Sequence, residues 1–269
     1  MILFSFRSTS TAAIAAAAIV SLFAAPAVAV VYTAGHGDIG VAYEDPENEP
    51  NDFFVHAHLG TGAIVDGVPL AADEEYTGGE LTINVPLSAK IDRTAGVLGG
   101  SFEAYDYTTA AFDFLGTSVG GDLWLLAADS ADTSFYNTPF FGWAADELNP
   151  ADWTGAIVFT LSGFSGPGNF SLFTAAGTRR FDTADGSFAN DALNVGAGGH
   201  GHFNMAFTAP GVYEITVTAT GTHVTNGVVT GTDTFVFQVV PEPSSLLLLG
   251  AGSVAFVALL RRRQPRGNR

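Results

Sequence analysis

The chain has 269 residues and is acidic, with 27 Asp and Glu against 10 Lys and Arg, for a formal net charge of −17. All of those acids except Glu242 fall between residues 30 and 240, where the basic residues are Lys90, Arg93, Arg179 and Arg180; this balance excludes a nucleic-acid partner, because phosphate binding needs the opposite sign. Cysteine is absent, which excludes disulfides and thiolate metal sites, so any transition-metal site must be built from His, Asp and Glu.

At the front, Arg7 precedes an apolar run from Ala12 to Ala25, and Ala27-Val28-Ala29 supplies the small residues a signal peptidase requires. Residues 1–29 therefore read as a signal peptide cut after Ala29, its apolar stretch too short to span a bilayer.

Residues 30–240 have the size of one domain and read as β throughout, with Gly, Thr, Ser and Asp punctuating short runs of Val, Ile, Phe, Leu and Tyr. The strand candidates are Gly40–Tyr43, Phe53–Leu59, Leu81–Pro86, Asp122–Leu126, Ala156–Ser162, Phe170–Thr174, His200–Thr208, Gly211–Thr220 and Asp233–Val240. In Tyr213–Thr218, apolar Tyr213, Ile215 and Val217 alternate with Glu214, Thr216 and Thr218, the mark of a strand with one face buried. Ala209-Pro210-Gly211 predicts a turn joining two strands as a hairpin. Asp45 to Asp52 is an acidic loop without the central Gly and distal Glu of a calcium loop. Residues 97–122 are Gly-rich and without clear period, and Trp143 to Trp153 leaves room for one short helical turn. The expected fold is all-β: a single antiparallel β-sandwich of Ig-like or jelly-roll type, flanked by the signal helix and a C-terminal transmembrane helix.

Residues 241–269 begin with Pro241-Glu242-Pro243, continue as a Leu/Ala/Gly/Val run from Leu246 to Leu260, and close on Arg261, Arg262 and Arg263. The arginines predict that this end stays cytoplasmic. The order of motif, apolar run and Arg cluster resembles the PEP-CTERM sorting signal, which implies an exosortase-type processing enzyme as partner and transient anchoring in the membrane; a plain single-pass anchor is the alternative.

Five of the six histidines sit in i, i+2 pairs: His36 with Asp38, His56 with His58, His200 with His202. Random placement gives two His-x-His pairs in on the order of one such chain in a hundred. Side chains alternate along a strand, so i and i+2 share a face and two imidazoles can converge on one ion. If adjacent strands bring the pairs together, they supply more ligands than a tetrahedral ion needs, and the surplus either orients ligands or defines a second site. Nitrogen-rich, sulfur-free ligation favours zinc, with Cu(II) or Ni(II) as other divalent candidates. His223 stands alone and reads as a surface residue. Trp124, Trp143 and Trp153, with Phe140 and Phe141, read as core rather than as a sugar-stacking face. Gly163-Phe164-Ser165-Gly166 lacks the Gly-x-Ser-x-Gly of a nucleophile elbow.

Gly35-His36-Gly37-Asp38-Ile39-Gly40-Val41-Ala42-Tyr43 resembles the opening of the choice-of-anchor M domain of bacterial surface proteins. So do Gly121-Asp122-Leu123-Trp124-Leu125-Leu126, Gly142-Trp143 with Ala144-Ala145-Asp146-Glu147-Leu148, Gly166-Pro167-Gly168-Asn169-Phe170-Ser171-Leu172-Phe173, and Gly199-His200-Gly201-His202-Phe203-Asn204 continuing through Ala206-Phe207-Thr208-Ala209-Pro210-Gly211-Val212-Tyr213. The resemblance implies a zinc-repressed, PEP-tailed surface protein associated with metal uptake. It carries over His36, Asp38, His56, His58, His200 and His202 as ligands and Asn204 as a residue supporting them. Met205 departs from the family's usual Trp, a change expected to touch packing more than ligation.

The expectation is an exported, non-enzymatic protein of the cell surface or extracellular matrix that binds zinc for scavenging or transfer. A metal-uptake system or an exopolysaccharide is the expected partner. The rival readings are a structural or adhesion protein without metal and a metallo-hydrolase.

Overall fold

The computed structural model describes residues 29–44, 53–94, 107–174 and 176–241. The expected signal peptide before Ala29, the expected acidic loop Asp45–Asp52, Glu242, Pro243 and the apolar run after them lie outside the described residues. Among the described residues, no helix is long and apolar enough to cross a membrane.

Among the described residues seventeen strands follow one another, in chain order β1 (Val30–Tyr43), β2 (Phe53–Leu59), β3 (Ile64–Val65), β4 (Val68–Pro69), β5 (Glu74–Tyr76) and β6 (Leu81–Val85). Then come β7 (Lys90–Asp92), β8 (Asp122–Leu126), helix α1 (Ser130–Tyr136), β9 (Pro139–Ala144), β10 (Ala156–Ser165), β11 (Phe170–Phe173) and β12 (Arg179–Asp182). The chain closes with β13 (Ala192–Gly196), β14 (His200–His202), β15 (Asn204–Phe207), β16 (Gly211–His223) and β17 (Gly227–Val239). Twelve strands form one sheet, with the path β13-β10-β16-β17-β6-β1-β2-β5, and five form the other, β12-β11-β15-β8-β7. Neither sheet closes on itself.

The alternation read in the sequence places the core. Tyr213, Ile215, Val217 and Ala219 on β16 point inward and are buried, as are Phe235, Phe237 and Val239 on β17. They meet Trp124, Leu126, Phe170, Leu172, Met205 and Phe207 of the smaller sheet in one cluster. The outward positions of the β16–β17 ribbon carry threonine hydroxyls paired across the strands, Thr216 with Thr234 and Thr218 with Thr232 at 2.9 Å. The smaller sheet is buried on its other face too, where Leu123, Leu125, Phe173 and Ala206 pack against Tyr107, Phe112 and Leu115.

Three expectations are corrected. The larger sheet is mixed rather than antiparallel, because β6 lies parallel to both β1 and β17, and β1 lies parallel to β9. The run His200–Thr208 is not one strand: β14 pairs with β9 in the larger sheet, whereas β15 pairs with β8 and β11 in the smaller. Ala209-Pro210-Gly211 is accordingly a corner between sheets, not a hairpin. Tyr213 Oη locks it, donating to Ala209 O at 2.7 Å and accepting from Ala209 N at 3.1 Å, the tyrosine-corner device of sandwich folds. β17 lies between β16 and β6.

β1 positions the histidines. Its first half pairs with β3 and β6 and its second with β2 and β9. The change of neighbours occurs at Gly35, whose φ of +97° suits glycine and where a Cβ would stand 2.7 Å from Ala63 Cα.

Candidate metal centre

β14, β9, β1 and β2 run side by side, and their register sets out the site as a grid. His202 is level with Gly142, Gly142 with Asp38, and Asp38 with His58. In neighbouring rows His200 is level with Ala144, Gly40 with His56, and Phe140 with His36. Ile39, Val41, Val55, Ala57, Phe141 and Trp143 alternate with these positions and fill the core, so the histidines occupy the opposite face of the same sheet. Between the two outer histidine strands, Gly142, Ala144 and Gly40 are small and leave room for the rings to lean inward.

On one side of the grid, His36 Nε2 lies 3.3 Å from His202 Nε2 and 3.4 Å from Asp38 Oδ2. His200 joins them, its ring nitrogen within 4.8 Å of those of His36 and His202. A tetrahedral ion with zinc–nitrogen bonds of about 2.0–2.1 Å spaces its ligand atoms about 3.3–3.4 Å apart. The His202 ring stacks on Phe140, centroids 3.6 Å apart and planes inclined by 7°, which fixes its orientation. A Cβ at Gly142 would run into Asp38 Oδ1 and lie 2.9 Å from His202 Nδ1, so only glycine accommodates both side chains. Asp38 is 4 % exposed and its Oδ1 has no hydrogen-bond partner.

The electrostatics keep the His202 imidazole unprotonated. Burial, then the adjacent His36 and His200, push the His202 imidazole down to about 4, offset only in part by a backbone hydrogen bond at Phe141. Burial raises the Asp38 carboxyl above the ordinary carboxylate range, although His36 and His200 draw it back.

On the other side of the grid, His56 Nε2 stands 2.9 Å and His58 Nδ1 3.1 Å from the same oxygen, Glu147 Oε1. Asp73 Oδ2 lies 3.8 Å from His58 Nε2, and Asp73 Oδ1 is held by Thr61 N and Oγ1, each at 2.6 Å. Burial alone would raise Glu147, but the hydrogen bonds and charge of His56 and His58 outweigh it and hold the carboxyl below its usual range. Glu147 sits in the turn after β9, which is tied to the approach of β14 by Ala145 N to Gly199 O (2.8 Å) and Gly198 N to Ala145 O (2.7 Å).

All six expected ligands therefore lie on one sheet face, but in two clusters rather than around one point: His36, His200 and His202 in the first, with Asp38 beside His36, and His56 and His58 in the second. Glu147 is the residue the sequence reading missed; a lone carboxylate 91 positions from His56 carries no spacing signal. Asn204, expected to support the ligands, is buried on β15 in the other sheet, where its Oδ1 accepts from Ala128 N at 2.8 Å. The crossing between sheets at Phe203 removes it from the face of His202. Met205 is fully buried in the core, as are Trp124, Trp143 and Phe141. His223 packs against Tyr43 and Trp153, with ring centroids at 5.0 and 5.4 Å, and borders a cavity of about 440 Å³ that Glu147 also lines. A second cavity, of about 450 Å³, opens beside His36 and α1.

No curated protein and no solved structure matches the chain. Residues 239–263 match the PEP-CTERM protein-sorting motif. The chain carries the sorting signal of an exported protein that an exosortase processes and that is held at the cell envelope.

Proposed function

We propose that this is an envelope-displayed, non-enzymatic protein that binds a divalent transition metal, zinc first, through His36, Asp38, His200 and His202, and that it holds or passes on that metal outside the cytoplasm. The observation that carries the reading is the pair of ligand-atom separations at His36, 3.3 Å to His202 Nε2 and 3.4 Å to Asp38 Oδ2, which match the spacing of about 3.3–3.4 Å between the ligand atoms of a tetrahedral zinc ion. Imidazole nitrogens without sulfur suit zinc better than the softer metals. The glycine at 142 and the unpaired Asp38 Oδ1 support a site shaped for an ion rather than for packing. The strongly acidic surface adds long-range attraction for cations. A resemblance to choice-of-anchor M proteins with zinc-repressed expression agrees with this role.

The test is the metal content of the purified protein and of a His200→Ala/His202→Ala variant, after equilibration with zinc. The variant loses the tightly held equivalent while its circular dichroism stays that of the wild type. Unchanged metal content in the variant overturns the assignment of this site, and no bound zinc in either protein leaves a structural or adhesion protein. Zinc-dependent turnover of ester or phosphoester substrates moves the reading to a metallo-hydrolase.

A further inference from the structure

We infer that His56, His58 and Glu147 form a second metal centre, separate from the first and weaker. The inference rests on the metal-binding reading above but on none of the same ligands. The three side chains come from two unconnected parts of the fold, β2 and the turn after β9, yet their ligand atoms fall within 4.8 Å of one another. Two imidazoles and one glutamate are the ligand set of three-residue zinc sites that keep a fourth position for water or a small anion.

Several features around the cluster fit an ion. Gly40 lies beneath it, and a Cβ there would stand 3.4 Å from His56 Nε2 and 3.9 Å from Glu147 Oε1. His58 is also approached by Asp73 at 3.8 Å and is level across the strands with Glu75, so the neighbourhood is negative, which favours a dication. Glu147 lines the cavity of about 440 Å³ together with Asp152, Asn149, Tyr43, Trp153 and His223.

The two centres are neighbours. Asp38 of the first is level with His58 of the second across the β1–β2 ladder, where facing Cβ atoms are about 4.5–5.5 Å apart. Two dications so placed repel, and the buried Asp38 carboxylate between them offsets only part of that repulsion. The first centre, with the Asp38 carboxylate beside its three imidazoles, fills first and the second fills at higher zinc concentration.

The test is a zinc titration of the purified full-length protein against a chromophoric chelator, with bound metal counted by elemental analysis. Wild type takes two equivalents in two phases. Glu147→Gln, which preserves shape, keeps the tight phase and weakens the second by at least about tenfold; His56→Ala/His58→Ala does the same. His200→Ala/His202→Ala removes the tight phase and leaves the weak one. Saturation of wild type at one equivalent, with Glu147→Gln unchanged, overturns the second centre while leaving the first. Loss of the sole equivalent in Glu147→Gln, with the His200→Ala/His202→Ala variant unaffected, overturns the first and keeps the second.

Discussion

Gly142→Ala probes the first cluster without removing a ligand atom. Residue 142 is outside the left-handed backbone region, so alanine is accepted by the backbone and its cost comes from the added methyl. That methyl runs into Asp38 Oδ1 and stands 2.9 Å from His202 Nδ1 and Cε1, where comfortable contact begins at about 3.5 Å. His202 has little room to retreat, because Phe140 lies 3.6 Å away in a near-parallel stack. Shifting the ring by about 0.6 Å opens the His36–His202 edge from 3.3 Å to about 4 Å, whereas ligand distances in a zinc site hold to within about 0.2 Å. Zinc affinity at the tight site should fall about 10–100-fold, the cost of disturbing ligand orientation. The metal-free fold should lose about 1–3 kcal/mol to overpacking and remain cooperative. Competition against a chromophoric chelator reads the first quantity, and thermal melting in chelator the second. An affinity within about twofold of wild type would refute the placement of the ion between Asp38 and His202.

Metal-free protein should lose stability on acidification through His202. That imidazole stays neutral in the fold down to about 4, while in the unfolded chain it protonates near 6.5. Between those values the unfolded state binds more protons, so stability falls as pH drops from about 6.5 to about 4 and levels off below. Full burial would make this about 3 kcal/mol, and solvent screening of the half-buried ring reduces it to about 1–2 kcal/mol. Urea unfolding in chelator should show a shallower pH slope for His202→Gln than for wild type, and identical slopes would count against this reading. Tyr213→Phe should cost about 1–2 kcal/mol by unpairing Ala209 N and O, with zinc stoichiometry unchanged; a melting temperature equal to wild type would show that the corner is held by other contacts.

What the sequence made legible was whatever depends on neighbours along the chain. The His-x-His pairs share a face because alternation is local, and β2 and β8 begin and end where their apolar runs do. What it hid depends on partners distant in the chain. The first half of β1 looks like loop because Gly35 and Gly37 interrupt it, yet those glycines let the strand pass Ala63 and Leu59 at close range. The parallel pairing of β6 with β1 and β17 has no local signature, since strand direction is set by crossovers elsewhere. His202 and Asn204 look like one periodic set, but the chain leaves its sheet between them. Glu147 completes a cluster only through folding, as one carboxylate among many in an acidic chain.

The position of β17 bears on how the domain withstands tension. Its final residues, Val236 to Val239, are bonded to β16 on one side and to β6 on the other, and the sorting motif begins at residue 239. A tether leaving from that point pulls along the strand, across ladder bonds that lie at right angles or slanted to the load. Many bonds then resist together in shear, whereas a strand at the margin of a sheet would peel one bond at a time. A body fastened to an envelope and exposed to flow is thus gripped by its interior.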